Sequence, residues 1–176
     1  MKKITASLLL ALVLFTCERD DICSESITTS RINIALLDIN FPDEDTPKNV
    51  FNLRVQGVGN ESVLSDYDVV RTSSLLLPLK TTDDVTQFRL HIDYNVDDNG
   101  TPEPEDDIIE GNEDIITINY TREQEYLSRG CGYRTVFKNV TITVEDDGDN
   151  WIQNIIPAND NLIVNNEDEV HYKIYH

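Results

Sequence analysis

Apolar residues recur at every second position along much of the chain, and a period of two predicts β-strands. Successive side chains of a strand point to opposite faces of the sheet, so one buried face produces this alternation. Five segments each keep a single parity: Phe51, Leu53 and Val55; Phe88, Leu90, Ile92 and Tyr94; Ile116, Ile118 and Tyr120; Val140, Ile142 and Val144; and Val170, Tyr172 and Ile174. We predict a strand in each segment, with these residues facing the core.

Shorter apolar runs predict further strands. One is expected over residues 32–39, with a bulge because the alternation changes parity at Leu36 and Leu37. Residues 75–79 and 151–156 provide the others, for a total of about seven to nine strands. The polar run 121–127 contains helix formers but is short, and we expect a connecting turn there. Turn signals separate the strands at residues 42–43, 57–60, 99–100, 111–112 and 147–148.

The number and spacing of these strands predict an all-β fold. Many short antiparallel strands in one domain are typical of a β-sandwich, here of the immunoglobulin-like or a related Greek-key arrangement. A closed β-barrel is the alternative. No segment has the period of a convincing helix.

The amino end is typical of a secretory signal. Met1, Lys2 and Lys3 precede an unbroken apolar run over residues 4–15, which is too short to cross a bilayer as a stable helix. Residues 14–17 resemble a loose lipobox, so we predict a lipoprotein signal peptide at 1–16 and a lipid on Cys17. Residues 17–30 would then be a lipidated tether, followed by a single β-sandwich domain at 31–176. The alternative, a buried core helix with an ordinary thiol, fits poorly with two lysines at the extreme amino end.

The cysteine count agrees with this prediction. Three cysteines are an odd number for an exported protein, but a lipid on Cys17 would leave Cys23 and Cys131 as a pair in an oxidising compartment. We expect these two to form a disulfide. The alternatives are two free thiols, or a zinc site, for which neither cysteine has a close Cys or His partner.

The chain is strongly acidic, with a formal net charge of −19 from 14 Lys and Arg against 33 Asp and Glu. Such a surface repels nucleic acid and anionic headgroups, so no nucleic-acid partner is expected. It is compatible with a cationic partner or divalent cations, or with a solvated acidic surface alone.

One acidic segment matches the spacing of a twelve-residue calcium loop. Gly100 occupies the position of the sharp turn, and the prolines at 102 and 104 depart from the pattern. The candidate ligands are Asn95, Asp97, Asn99, Glu103 and Asp106. The alternative is an exposed acidic hairpin loop between Tyr94 and Ile115, with Asn99 and Gly100 making its turn. We expect no cofactor, and any bound calcium would be structural.

No sequence motif for catalysis is present. The chain contains no nucleophile elbow, zinc-protease motif, phosphate-binding glycine loop or dinucleotide fingerprint. The three histidines, His91, His171 and His176, are simplest as surface or strand residues. We therefore expect a protein without enzymatic activity.

Several short segments resemble small lipoproteins of Bacteroidota that form a family of unknown function. The resemblance covers the expected mature chain and is carried by Cys17 to Cys23, Leu77-Pro78-Leu79, Arg129-Gly130-Cys131-Gly132-Tyr133, Thr135-Val136-Phe137, Asn150 to Ile155 and Val170 to Tyr175. It implies a location and a fold type but no activity. Residues 18–21 resemble the acidic export signal of that phylum, which predicts lipid anchoring at the outer membrane, on its periplasmic or its cell-surface face.

These observations predict a lipid-anchored cell-envelope protein whose molecular function the sequence does not specify. A non-catalytic binding or envelope-assembly module is favoured, because a tethered sandwich presents loops and sheet edges to a partner. The partner would be an envelope protein or a glycan. A structural surface component is the alternative, and a hydrolytic enzyme is the third hypothesis.

Overall fold

The computed structural model describes Cys23 and residues 29–60, 62–101 and 106–176. The described residues form two compact units. The smaller unit contains Cys23 and Gln124–Arg134, and the larger contains Thr29–Glu123 and Thr135–His176. Cys17 and Glu103 lie outside the described residues. No helix in the described part of the chain is long and apolar enough to cross a membrane.

Nine strands are described, and they form two sheets. One sheet has the order β4-β1-β9-β8 and the other β3-β2-β5-β6-β7. The strands are β1 (Ile32–Leu37), β2 (Val50–Gly57), β3 (Val70–Thr72), β4 (Ser74–Leu77), β5 (Val85–Asp97), β6 (Ile108–Ser128), β7 (Gly132–Val144), β8 (Asn154–Pro157) and β9 (Tyr172–Tyr175). A short 3-10 turn, Ser65–Tyr67, precedes β3.

The buried core combines apolar side chains from both sheets, so the predicted sandwich is confirmed and the described strands form no closed barrel. One pairing departs from the antiparallel expectation, because β1 pairs in parallel with β9. The chain passes from one sheet to the other between β3 and β4 at Ser73 alone. Such a short crossing ties the two sheets together.

In β2 and β5, shifts of register produce irregularities that the alternation does not reveal. The register of β2 with β3 shifts between Val50 and Leu53, and Asn52 has a positive φ of 44°. The register of β5 with β6 shifts between Ile92 and Asn95, and Asp93 has a φ of 51°. A bulge changes which face the following residue points to. Phe51 is exposed and Tyr94 is half-buried, so the prediction that both face the core is wrong.

Three other predictions of local structure are corrected. Residues 121–127 are not a turn but part of β6, where Glu123 forms a cross-strand ion pair with Lys138, a contact that stabilises a sheet. Gly111 is not in a turn but inside β6, opposite the β5 bulge. The first strand ends at Leu37 and pairs with β9 without a register shift, so no bulge is present there.

The buried carboxylate of Asp114 holds a separate segment against the second sheet. Asp114 lies on the core-facing side of β6 and is fully buried. Its two oxygens accept hydrogen bonds from the backbone N–H groups of Trp151 at 3.3 Å and Ile152 at 2.8 Å. The indole Nε1 of Trp151 donates to the carbonyl of Leu90 at 3.1 Å. These bonds pair polar groups that would otherwise be buried without partners.

Asp114→Asn is expected to lower the free energy of unfolding by about 1–3 kcal/mol near neutral pH, because one backbone N–H would face an amide donor. The difference in the free energy of unfolding between wild type and Asp114→Asn should become larger in acid. Burial raises the pKa of Asp114, and the backbone donors lower it by less. The folded state therefore binds the proton of Asp114 more readily, so the contribution of Asp114 to wild-type stability rises as the pH falls through the raised pKa toward the ordinary value of 3.8.

Urea titrations of both proteins across that pH range measure the difference. The pKa values of Asp38, Asp45 and Glu167 are lowered, so these carboxylates contribute less to the free energy of unfolding in acid. They do so in both proteins, so their contributions cancel in the difference between wild type and variant. A gap between wild type and variant that narrows in acid would contradict this account of Asp114.

Candidate functional site

A group of cationic and aromatic side chains lies on the outer face of the second sheet. We call it the arginine face, and it comprises Phe51, Arg54, Arg71, Arg89, His91 and Tyr94. Arg54 on β2 is the direct cross-strand partner of His91 on β5. Two residues further along β2, Gln56 is the partner of Arg89. These residues alternate with the buried Val55 and Leu90, so the same strands that build the core carry the arginine face outside.

Aromatic rings hold two of the guanidinium groups in place. The Cζ atom of Arg54 lies 4.6 Å from the ring centroid of Tyr94, and its Nη1 donates to the Tyr94 hydroxyl at 3.0 Å. The Cζ atom of Arg71 lies 4.8 Å from the ring centroid of Phe51. Such stacking restrains a long cationic side chain while leaving N–H donors on its edge for another group.

The bulge in β5 is what brings Tyr94 to this face. The rings of His91 and Tyr94 meet edge to face with centroids 5.0 Å apart. Across the bulge Gly111 has a φ of 110°, and a Cβ there would collide with the carbonyl oxygen of Ile92. Only glycine fits this position without displacing backbone, so the geometry of the arginine face depends on Gly111.

A shallow depression of about 360 Å³ adjoins these residues and is lined by Gln56, Gly59, Asn60 and Arg89. The Gln56 side-chain amide donates to the Asn60 carbonyl at 2.6 Å, which fixes the turn at its rim. The lining therefore offers amide and guanidinium groups, which bind hydroxyl and carboxylate oxygens. The depression is open to solvent, so it offers a contact surface rather than an enclosed pocket.

The charge of the arginine face differs from that of the chain as a whole. Three arginines stand here in a protein of net charge −19. Two carboxylates lie near them, Asp68 at 3.8 Å from Arg54 and Glu113 at 3.4 Å from Arg89. Arg71 has no carboxylate within ion-pair distance among the described residues. The arginine face thus gathers three guanidinium groups on the surface of an acidic protein.

The predicted calcium ligands other than Glu103, which is outside the described residues, lie where β5, β6 and the connecting loop meet. Asn95 donates to the Glu110 carboxylate at 2.8 Å, while Asp97 accepts the backbone N–H of Asn99. The Asp106 carboxylate accepts the Thr101 hydroxyl at 2.9 Å. In the described part of the chain, no group of three or more His, Cys, Asp or Glu residues is arranged to hold a metal. Calcium binding stays a prediction of the sequence.

The exposed hairpin loop predicted between β5 and β6 is present but shorter than expected, because the strands extend to Asp97 and from Ile108. Asn99 and Gly100 both have positive φ, 50° and 71°, and Thr101 N–H donates to the Asp98 carbonyl at 2.9 Å. This is the turn type that an Asn-Gly pair favours. The turn assigned to residues 99–100 is confirmed.

The disulfide predicted between Cys23 and Cys131 is present, with 4.9 Å between the two Cα atoms. Cys131 lies in the turn between β6 and β7, and its backbone N–H donates to the Ser128 hydroxyl at 3.1 Å. Lipidation of Cys17 concerns a residue outside the described part of the chain and stays a prediction.

The histidines are less exposed than the sequence suggested. His171, just before β9, is buried, and its Nδ1 accepts the backbone N–H of Asn33 at 2.9 Å. Its Nε2 has no hydrogen-bond partner in the described structure. Burial lowers the pKa of His171, so the ring is neutral near pH 7. The sequence predicted a surface or strand residue at this position, and His171 is a buried residue directly before β9 rather than a surface residue.

Sequence reasoning missed the arginine face, although part of the signal was available. Arg54, Arg89 and His91 all occupy the outward parity of their strands. Phe51 and Tyr94 occupy the inward parity, and only the bulges turn them outward. The positive φ of Asn52 and Asp93 was the missing information.

The fold and the arginine face define a small all-β sandwich protein with a cationic and aromatic patch on one sheet. The chain belongs to the Family of unknown function (DUF6452), whose family model matches residues 52–176. This match begins within β2, so β1 precedes it. Neither a curated protein nor a solved structure matches the chain.

Proposed function

We propose that this protein is a non-catalytic binding module of the cell envelope that takes an anionic glycan on the arginine face. The single observation behind the proposal is a set of three guanidinium groups on one sheet face of an acidic protein. Aromatic rings restrain those of Arg54 and Arg71, and that of Arg89 lines a polar depression. The groups involved are guanidinium, amide and aromatic, which recognise a ligand by charge, hydrogen bonding and stacking. None of them acts as a nucleophile.

The geometry favours a saccharide over an extended peptide. Most of the arginine face lies on β2 and β5, which are interior strands with a paired neighbour on each side, and this disfavours a peptide that adds there as a further strand. Arg71 lies on the edge strand β3. Side-chain amides and guanidinium groups match the hydroxyl and carboxylate groups of an acidic sugar. The acidic remainder of the surface repels anions, which would restrict binding to this patch.

We further propose that the module is anchored by lipid on Cys17 at the outer membrane. The sequence supports this through the apolar run at 4–15, the cysteine that follows it and the acidic residues at 18–21. A disulfide between Cys23 and Cys131 suits an oxidising compartment. A lipid tether keeps the arginine face near other envelope components and so raises their effective concentration.

Calorimetric titration with an oligogalacturonide is expected to show binding, and a neutral malto-oligosaccharide of equal length should bind much more weakly. Replacing Arg54 and Arg89 together by alanine should weaken binding of the acidic sugar by at least about tenfold per arginine, because each charge-assisted hydrogen bond contributes about 1.5–3 kcal/mol. Raising the salt concentration should weaken wild-type binding.

The matched control is Arg122→Ala with Lys173→Ala. This pair removes the same charge from two other exposed ion pairs, with Asp84 and Asp45. Equal losses in both double variants would show that net charge alone governs binding. If wild-type protein binds neither sugar at millimolar concentration, the arginine face is not a glycan site, and the structural surface component becomes the better hypothesis.

A further inference from the structure

The end of the β6–β7 hairpin exposes a cluster of apolar side chains. We call residues Gln124–Arg134 the hairpin end. The exposed fraction is 54% for Tyr126 and 65% for Tyr133, and Leu127 is exposed as well. The two tyrosine rings contact each other edge to face with centroids 5.3 Å apart. Clustered exposed aromatic and apolar side chains are a feature of interaction surfaces.

The charge of the hairpin end is opposite in sign to that of the chain. It carries Arg129 and Arg134 against Glu125, and it contains no aspartate. Glu125 is already paired with Arg134, Nε to Oε2, at 2.6 Å. The surface is therefore amphipathic with a slight cationic excess. Tyrosine and arginine beside apolar groups are typical of side chains at the water interface of a membrane.

The disulfide ties this surface to the proposed anchor point. Cys131 belongs to the hairpin end and is bonded to Cys23. Cys17 and Cys23 are six residues apart, so the connecting chain spans at most about 20–22 Å when fully extended. The headgroup layer occupies about 5–8 Å of that distance on each side of the bilayer. Lipid on Cys17 would thus confine the hairpin end to the neighbourhood of the membrane surface.

We propose that the hairpin end is a membrane-contact surface, with Tyr126 and Tyr133 seated among the lipid headgroups and the Cys23–Cys131 disulfide holding them there. This inference rests on the lipid anchoring proposed above. Two rings and a leucine bind a membrane only weakly by themselves. The tether makes their contact intramolecular, so a weak preference suffices to hold the hairpin end in place.

The experiment uses full-length lipidated protein reconstituted into phosphatidylcholine vesicles with brominated acyl chains. In Tyr133→Trp, the added tryptophan emission is expected to shift to the blue and to be largely quenched, because bromine quenches only fluorophores at the membrane. Phe41→Trp is the control, since Phe41 is also about half exposed but lies in the larger unit. Because Phe41 is not part of the proposed contact surface, its added emission should be quenched less than that of Tyr133→Trp. The native Trp151 is common to all variants and is subtracted.

A second variant tests the disulfide. Adding Cys23→Ser and Cys131→Ser to Tyr133→Trp should reduce the quenching toward the Phe41→Trp value, because the short link to the lipid is lost. Quenching that survives unchanged would contradict the role of the disulfide. Quenching in Tyr133→Trp no stronger than in Phe41→Trp would overturn the membrane contact itself.

The failures of the two proposals can be told apart. Intact mass and vesicle flotation show whether Cys17 carries lipid. A chain that does not float overturns both the anchoring and the membrane contact, whereas a Tyr133→Trp variant that floats with its added emission unquenched overturns the membrane contact alone. Glycan binding is read separately, since Arg54→Ala with Arg89→Ala should leave the quenching unchanged.

Discussion

Replacing Cys23 and Cys131 together by serine is expected to lower the free energy of unfolding by about 2–5 kcal/mol. The bond joins residues with a sequence separation of 108, so it removes a large part of the conformational freedom of the unfolded chain. Urea titration monitored by the emission of the buried Trp151 measures the change. The dependence of the free energy on urea should also become steeper, because the unfolded chain without the cross-link exposes more surface.

Reduction provides the matched control for this prediction. Adding a thiol reductant should destabilise the wild-type protein by a similar amount and leave the double serine variant unchanged. If the double variant were within about 0.5 kcal/mol of wild type, the disulfide would not constrain the unfolded chain in the way proposed here.

Gly111→Ala is expected to destabilise the fold by about 2–4 kcal/mol and to disrupt the arginine face, because crowding costs about 1–3 kcal/mol and a positive φ adds strain for any residue with a side chain. The φ of Gly111 is 110°. The new Cβ would collide with the carbonyl oxygen of Ile92 and lie 2.9 Å from that of Asp93, and these backbone atoms cannot move aside as a flexible side chain can. The bulge must shift, and Tyr94 should lose its contact with Arg54.

Gly148→Ala separates the cost of crowding by the new Cβ from the cost of a positive φ. Gly148 also has a positive φ, 92°, but a Cβ there would meet nothing within 4 Å. Its loss of stability should be about 1–2 kcal/mol, the conformational cost alone. Sugar titration gives the functional readout, because Gly111→Ala should weaken acidic-sugar binding while Gly148→Ala should not. Unchanged binding in Gly111→Ala would show that the arginine face does not need the bulge.

The alternation of apolar residues predicted the core well where the strands are regular. Ile116, Ile118 and Tyr120 on β6 are all buried, as are Val140 and Ile142 on β7. Where the register of a strand is unbroken, every second residue lies on the same face of the sheet, so the alternation in the sequence identifies the buried residues. The disulfide was predicted by a different argument, because the pairing of the cysteines followed from their number and from the expected compartment.

The prediction failed where a single residue changes the parity of a strand. Positive φ at Asn52 and Asp93 turns Phe51 and Tyr94 outward, and the sequence alone does not show which asparagine or aspartate will adopt that conformation. Gly111 was interpreted as a turn residue because glycine favours turns. Its role opposite the β5 bulge depends on a partner strand that lies elsewhere in the sequence.

The sequence by itself determined the class of fold, most of the core and the Cys23–Cys131 pair, because these depend on local alternation and on residue type. Only the tertiary structure decided the parallel pairing of β1 with β9, the burial of Asp114 and the composition of the arginine face. The physical reason is the same for all three. Each depends on which distant segments meet and in what register, and register is set by packing across the whole sandwich rather than by any one strand.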